Sequence, residues 1–228
     1  MRLGLSIPLL NEADSITEVV ASMHAVLEAG DIEHTIVLVN NGSDDGTRDA
    51  IDSIAIPGVI EAIHLRENVG YGGGILTGLA HLEKDGFPDV VGWAWGDGQV
   101  AATALVPLFE AIQAGADVAK TVRTKRQDGP WRKVISAGYG TLMRLLGSNT
   151  RDINGCPKLM TRDVFLAIEP TAVDWFLDAE LILAAEQEGF VIADHPVAME
   201  RRRHGTSKVT ARTVAEFTKN IAGWRLRR

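Results

Sequence analysis

The chain holds a single cysteine, Cys156, in 228 residues. A disulfide framework within the chain is therefore excluded, and a reducing cytoplasm is the expected compartment. No apolar run approaches the roughly 18–20 residues that a membrane-spanning helix needs. The apolar opening, residues 1–10, is too short for a secretory leader and is interrupted by Pro8, so no cleaved signal is expected. Internal repeats and low-complexity linkers are also missing. One domain, or one domain with a small appendage, is what this length allows.

What is present is ordinary globular material. Hydrophobic residues make up 46% and charged residues 23%, enough for a full core. The net charge of -7 is unevenly spread: residues 201–228 carry nine Lys/Arg against one acid, Glu216, which makes that tail +8 and the rest -15. The acidic body argues against nucleic acid as a partner. The basic tail suits phosphate groups or an anionic membrane surface, and it also serves plain solubility.

The first half alternates short β-branched runs with helical patterns. Strands are expected over 3–7, 35–39, 59–65, 90–95 and 117–121, and helices over 15–27, from about 45, 72–82 and 103–113. The continuous apolar run 35–39 is the mark of a parallel strand buried on both faces. The expected fold is therefore an α/β, mostly parallel sheet with helices on both faces. The second half is less regular: a long helical pattern over 130–146, a loop over 147–157, a helix over 178–188, and strands over 190–193 and 197–201. Residues 210–224 pattern as an amphipathic helix, with Val214, Phe217, Ile221 and Trp224 on one side.

Ligands of open α/β sheets bind at the carboxyl ends of the strands. The unusual loops of this chain fall at those ends: IPLLNE (7–12), NNGSDDGT (40–47), RENVGYGGG (66–74) and WGDGQ (95–99). Four polar or glycine-rich loops on one edge imply a nucleotide pocket. NNGSDDGT reads as a tight turn feeding a helix, capped by Ser43 or Asp44. The glycine-rich loop lets backbone approach a ligand and opens a helix, and it serves equally as a simple turn. Arg202 and Lys208 flank a Gly-Thr-Ser turn suited to closing over a diphosphate. Asp178 and Glu180 sit in the apolar WFLDAEL (175–181). A carboxylate there can act as a general base or merely cap a helix. His34, His64, His81, His195 and His204 show no metal-ligand spacing. His204 falls in the Arg202–Lys208 loop, and the others are expected to be structural.

Pro8-x-x-Asn11-Glu12, NNGSDDGT, Asn68-x-Gly70 and Asp97-Gly-Gln99, in this order, resemble the family 2 glycosyltransferases of the GT-A (Rossmann-like) fold. Within that family the chain is most similar to the dolichol-phosphate mannose synthase and polyprenyl-phosphate sugar transferase branch. The branch's D-x-x-x-G-x-x-K and R-x-x-G-x-S-K motifs read here Asp152…Gly155…Lys158 and Arg202…Gly205…Ser207-Lys208. The resemblance covers about residues 2–210, leaving 211–228 as a separate basic helix.

The resemblance implies transfer of a hexosyl group, with inversion, from a GDP- or UDP-linked sugar to a polyprenyl phosphate. It implies nucleotide contacts from Pro8, Asn11, Glu12, Asn40, Asn41, Asn68 and Gly70, with Asn41 reading the base. It implies Mg²⁺ or Mn²⁺ on Asp97 and Gln99, although the family's D-x-D-x-Q has lost its first acid to Trp95. Asp97, Asp178, Arg202 and Lys208 are the expected catalytic residues, and Lys158 and Ser207 the expected contacts to the acceptor phosphate. The basic C-terminal helix is expected to give peripheral contact with the inner membrane face. Two other readings stay open: the same donor chemistry onto a soluble small molecule or saccharide, and a non-catalytic nucleotide-sugar binder.

Overall fold

A parallel strand must bury both faces, so its sequence reads as continuous apolar residues whose side chains alternate in direction. His34–Asn41 is the clearest case. Ile36 and Leu38 pack into one core layer, and Val37 and Val39 into the other. The computed structural model describes residues 1–84, 86–125, 143–144 and 147–200.

The elements run β1 (Leu3–Leu9), α1 (Ile16–Ala29), β2 (His34–Asn41), α2 (Thr47–Ile54), β3 (Ile60–Leu65), α3 (Tyr71–Lys84) and β4 (Val90–Trp93). A short 3₁₀ turn, Ala102–Ala104, then leads into α4 (Leu105–Gln113), β5 (Val118–Lys125), β6 (Lys158–Thr161), α5 (Arg162–Ile168), α6 (Leu177–Gln187) and β7 (Ile192–Ala198). The strands form one sheet in the order β3-β2-β1-β4-β6-β5-β7. β3, β2, β1 and β4 are parallel neighbours, as are β5 and β7; β6 runs antiparallel to both β4 and β5. The order reverses at β1, which places a crevice at the carboxyl ends of β1, β2 and β4.

Helices cover both faces. Ile16, Val20, Met23 and Leu27 of α1, Ile51 of α2, and Leu105, Leu108, Phe109 and Ile112 of α4 fill one layer under Leu3, Leu5, Ile7 and Leu9. On the other face, α3, α5 and α6 pack on Val37, Val39, Val91 and Trp93. There β1 offers small residues, and α3 comes close: Ser6 donates its hydroxyl to Ile75 O at 2.9 Å. A Cβ at Gly78 would lie 2.2 Å from Ser6 Oγ, so only glycine permits this approach.

The expected α/β sheet is present, with corrections in its second half. β4 stops at Trp93 rather than residue 95, because the chain leaves the sheet for the Gly96–Gly98 turn. β5 continues to Lys125, paired with β7. The two strands expected over 190–193 and 197–201 are one strand, β7; its Pro196 is tolerated because β7 is the edge of the sheet. β6 and α5 have no counterpart in the sequence reading. The expected helices over 130–146 and 210–224 lie largely or wholly outside the described residues. Among the described residues no helix is long and apolar enough to cross a membrane.

Candidate functional site

The loops that leave the carboxyl ends of β1, β2, β3 and β4 meet on one edge. They are held by side-chain hydrogen bonds rather than by a core. Asn11 (φ 53°) and Asp44 exchange two bonds, Nδ2 to Oδ1 at 2.7 Å and backbone N to Oδ1 at 3.1 Å. Asn11 N also donates to Ser43 Oγ at 3.0 Å, and Glu12 N to Thr47 Oγ1 at 2.9 Å. The first and second loops are thereby zipped together. Ser43 and Asp44 spend themselves on this contact, and the expected side-chain cap on α2 is absent.

Asn40 and Asn41 are buried. Asn41 donates Nδ2 to Gly70 O at 2.8 Å and accepts Val69 N at 2.9 Å. Its amide, expected to read a base, clamps the glycine-rich loop with one hydrogen and one lone pair. Asn40 accepts Ser43 N at 3.1 Å and lies 3.4 Å from His64 Nδ1, whose Nε2 meets Asp52 at 2.8 Å. Asn68 accepts Gly70 N at 2.8 Å. The loop is closed from above by residues 172–174: Val173 O accepts Gly73 N at 2.9 Å, and a Cβ at Gly72 would lie 2.2 Å from Ala172 O. Pro8 lies within β1, paired in register with Val39.

The fourth loop carries Asp97 on a tight turn with Gly98 at φ 66°. Asp97 Oδ1 accepts Gln99 N at 3.1 Å. Gln99 and Glu200 make a reciprocal pair: Gln99 Nε2 donates to Glu200 O at 3.0 Å, and Glu200 N to Gln99 O at 2.9 Å. The end of the chain's last described strand segment is therefore pinned to the Asp97 loop. One carboxylate and one amide oxygen are hard donors, which fits a hard divalent cation that completes its shell with phosphate and water oxygens. No third carboxylate or imidazole joins Asp97 in a ligand cluster among the described residues.

Beneath this loop lies a strip of buried charge. Lys158 and Asp178, with side chains 0% and 2% exposed, pair at 2.6 Å. Lys158 also donates to Ile153 O at 2.9 Å, and Asp178 accepts Trp93 Nε1 at 3.1 Å. Lys158, expected to contact an acceptor phosphate, faces Asp178 inside the fold, because β6 inserts it between β4 and β5. Asp178, expected as a general base or helix cap, is sealed and ion-paired instead. Glu180 is not a bare surface acid either: it accepts from the Thr171 and Ala172 backbone nitrogens at 2.9 and 2.7 Å.

Sequence reasoning missed the neighbours of this strip. Asp152 receives Arg123 Nε at 2.8 Å and Arg123 N at 2.9 Å. The Arg123 guanidinium lies 5.6 Å from the centre of the Trp95 ring. Burial works against its charge, but Asp152 outweighs it and holds the pKa above its ordinary value. Trp95 Nε1 donates to Tyr71 Oη at 3.0 Å, and Tyr71 stacks on Trp175 at 4.2 Å. Burial, and then the charge of Asp178, push the Tyr71 hydroxyl well up. The same two causes push up the Cys156 thiol, so Cys156 stays protonated and is no nucleophile. Lys120, buried beside Lys158, is held below its ordinary pKa by burial against the pull of Asp194 at 2.8 Å. The only linear signals for this cluster were Trp95 and the Asp152 motif. Arg123 stands in no motif, and Tyr71 lies in the glycine-rich loop without having been read as a site residue.

Fold and edge define a class first: a GT-A type α/β domain with polar loops gathered at its strand ends. The chain belongs to glycosyl transferase family 2, whose model matches residues 5–168. It is 29% identical over 233 residues to a polyprenol monophosphomannose synthase of Mycolicibacterium smegmatis, covering 97% of this chain and 86% of that one. It is 26% identical over 238 residues to an undecaprenyl-phosphate mannosyltransferase of Micrococcus luteus, covering 99% and 95%. Among solved structures, glucosyl-3-phosphoglycerate synthase of Mycobacterium tuberculosis with phosphoglyceric acid superposes at TM-score 0.73 and 16% identity, over 97% of this chain and 79% of that one. The same synthase has been solved with Mn²⁺ and uridine-diphosphate-glucose, and superposes at 0.69 with 18% identity over 97% and 76%. These two show a shared fold. The expected family, the GT-A fold and an enzyme of family 2 are what the chain is.

Proposed function

We propose that the protein transfers a hexosyl group from a nucleoside-diphosphate sugar to a polyprenyl phosphate, with inversion at the anomeric carbon. The observation that carries the reading is the Gln99–Glu200 pair. It ties the Asp97 loop to the chain two residues before Arg202, the start of the R-x-x-G-x-S-K motif. Full-length similarity to two polyprenyl-type phosphate mannosyltransferases supports the acceptor class.

In this reading the donor lies along the edge formed by Pro8, Asn11, Glu12, Asn68 and Gly70. Asn40 and Asn41 shape that edge, with Asn41 set beside the base. Asp97 and the Gln99 carbonyl would hold Mg²⁺ or Mn²⁺, which neutralises the diphosphate as it leaves. Arg202 and Lys208 bring cationic charge to the phosphates, and Ser207 offers a hydroxyl to the acceptor phosphate. An ionised phosphate is already a nucleophile and needs no strong base, which accords with a buried, ion-paired Asp178. Asp178 and Lys158 are positioning residues that fix β6 and α6 under the Asp97 loop. The basic segment 211–228 would lie on the membrane face that presents the lipid.

A thermal-shift screen over UDP, GDP and their sugars, with and without Mn²⁺, tests the donor side. One nucleotide class should raise the melting temperature, and Mn²⁺ should add to the rise in the native chain but not in Asp97→Ala. No rise with any nucleotide would sink the reading.

A further inference from the structure

At the end of the sheet away from the Asp97 loop, His24 and Glu28 stand one turn apart on α1, and His34 opens β2. Residues at i and i+4 share a helix face. One ligand atom from each of the three lies within 4.8 Å of the others. The α1–β2 connection, residues 30–33, folds the helix back so that a helix pair meets a strand residue.

The hydrogen bonds fix the tautomer of the inner ring. His34 is 6% exposed, and its Nδ1 lies 2.7 Å from Ile32 O. A carbonyl oxygen only accepts, so Nδ1 carries the hydrogen and Nε2 of the neutral ring holds a lone pair. That is the arrangement of a metal-ligating histidine oriented by a backbone carbonyl. The lone pair points at His24 Nδ1, 2.9 Å away. The two rings are tilted at 57° rather than stacked, so nitrogen faces nitrogen. Two nitrogens bound to one zinc ion at about 2.0–2.1 Å sit about 3.3 Å apart at a tetrahedral angle, so a small ring rotation admits the ion. The exposed Glu28 supplies the third donor. Beside it opens a depression of about 390 Å³ lined by Met1, Glu28, Asp31, Ile32 and Glu33, whose carboxylates favour a cation.

We infer that His24, Glu28 and His34 form a binding site for a transition-metal ion of the Zn²⁺ type, with a solvent-facing fourth position. Two imidazoles and one carboxylate select Zn²⁺ over Mg²⁺, which wants oxygen donors alone. The site is separate from the proposed donor site. β2 spans His34 to Asn41, which puts the two about 23 Å apart at the rise of a strand. Its bound ion would staple the last turns of α1 to the first residue of β2 and stabilise the fold.

The test uses the full chain, stripped with a chelator and then titrated with Zn²⁺ or Co²⁺. Expected are one equivalent bound at micromolar metal, a rise in melting temperature with Zn²⁺ but not Mg²⁺, and the visible absorption of tetrahedral Co²⁺. His24→Ala should abolish all three and Glu28→Gln should weaken them, while Asp97→Ala keeps them. Both altered positions are at least partly exposed, so these variants fold. Absence of stoichiometric Zn²⁺ binding in the native chain, or binding that survives His24→Ala unchanged, would overturn the inference.

Discussion

Asn41 shows how one atom can decide a residue. Its amide gives a hydrogen to Gly70 O and takes one from Val69 N, and a carboxylate can do only the second. An aspartate would set a buried anion against a carbonyl oxygen here. Asn41→Asp should therefore cost about 1–3 kcal/mol, the price of a buried polar group left without its partner, read from urea unfolding. Tyr71 and Cys156 make a second prediction. Both stay protonated in the native chain at pH values where the unfolded chain ionises, since burial raises both. The unfolded state then binds fewer protons, so stability falls as pH rises past about 9 for the thiol and 10 for the phenol. Each adds a slope of up to about 1.4 kcal/mol per pH unit. Lys120, with its lowered pKa, acts in the opposite direction in this range. Tyr71→Phe and Cys156→Ala should each flatten the alkaline loss seen in denaturant midpoints between pH 8 and 11; an unchanged profile would contradict the assignment.

At the scale of elements, the sequence spoke clearly where a strand is parallel and buried. β1, β2 and β3 follow from apolar runs, and α1 and α4 from their 3.6-residue spacing. β6 and α5 were hidden for a physical reason. β6 has only four residues, and half of its meaning lies in Lys158, a charge that sequence patterns place on a surface. Only the partner, Asp178 on α6, makes its burial tolerable, and no local pattern links the two. Lys158→Met should cost about 3–5 kcal/mol by stranding a buried carboxylate. The double variant Lys158→Met/Asp178→Asn should recover much of that loss in the same unfolding experiment. A double variant that loses as much as Lys158→Met and Asp178→Asn added together would show that the pair is not coupled. The α3 entrance carries a second element-level test. Gly72→Ala places a Cβ against Ala172 O, so it should push residues 172–174 off the glycine-rich loop. A loss of about 1–3 kcal/mol is expected from such overpacking, together with weaker nucleotide binding.

At the scale of the molecule, the motifs announced the edge where a ligand would bind, because loops at strand ends carry their own turn chemistry. What those residues do there was less legible. Asn40, Asn41, Ser43 and Asp44 carry the family pattern, yet they bond mostly to one another and to neighbouring loops. Arg123 builds the wall around Trp95 from outside any motif, and Tyr71 and Trp175 join it from segments read for other reasons, because the wall depends on three elements meeting. The two ends of the molecule also divide its chemistry. Hard oxygen donors sit at Asp97 and Gln99, and nitrogen donors at His24 and His34. The most direct test of the whole account is transfer itself: the full chain with labelled GDP- and UDP-sugars, Mn²⁺ or Mg²⁺, and polyprenyl phosphate in detergent. The account predicts label in the organic phase from one donor, reduced at least about 100-fold by Asp97→Ala, in line with losing a group that stabilises the leaving charge. Label that stays wholly in the aqueous phase with every donor would contradict it.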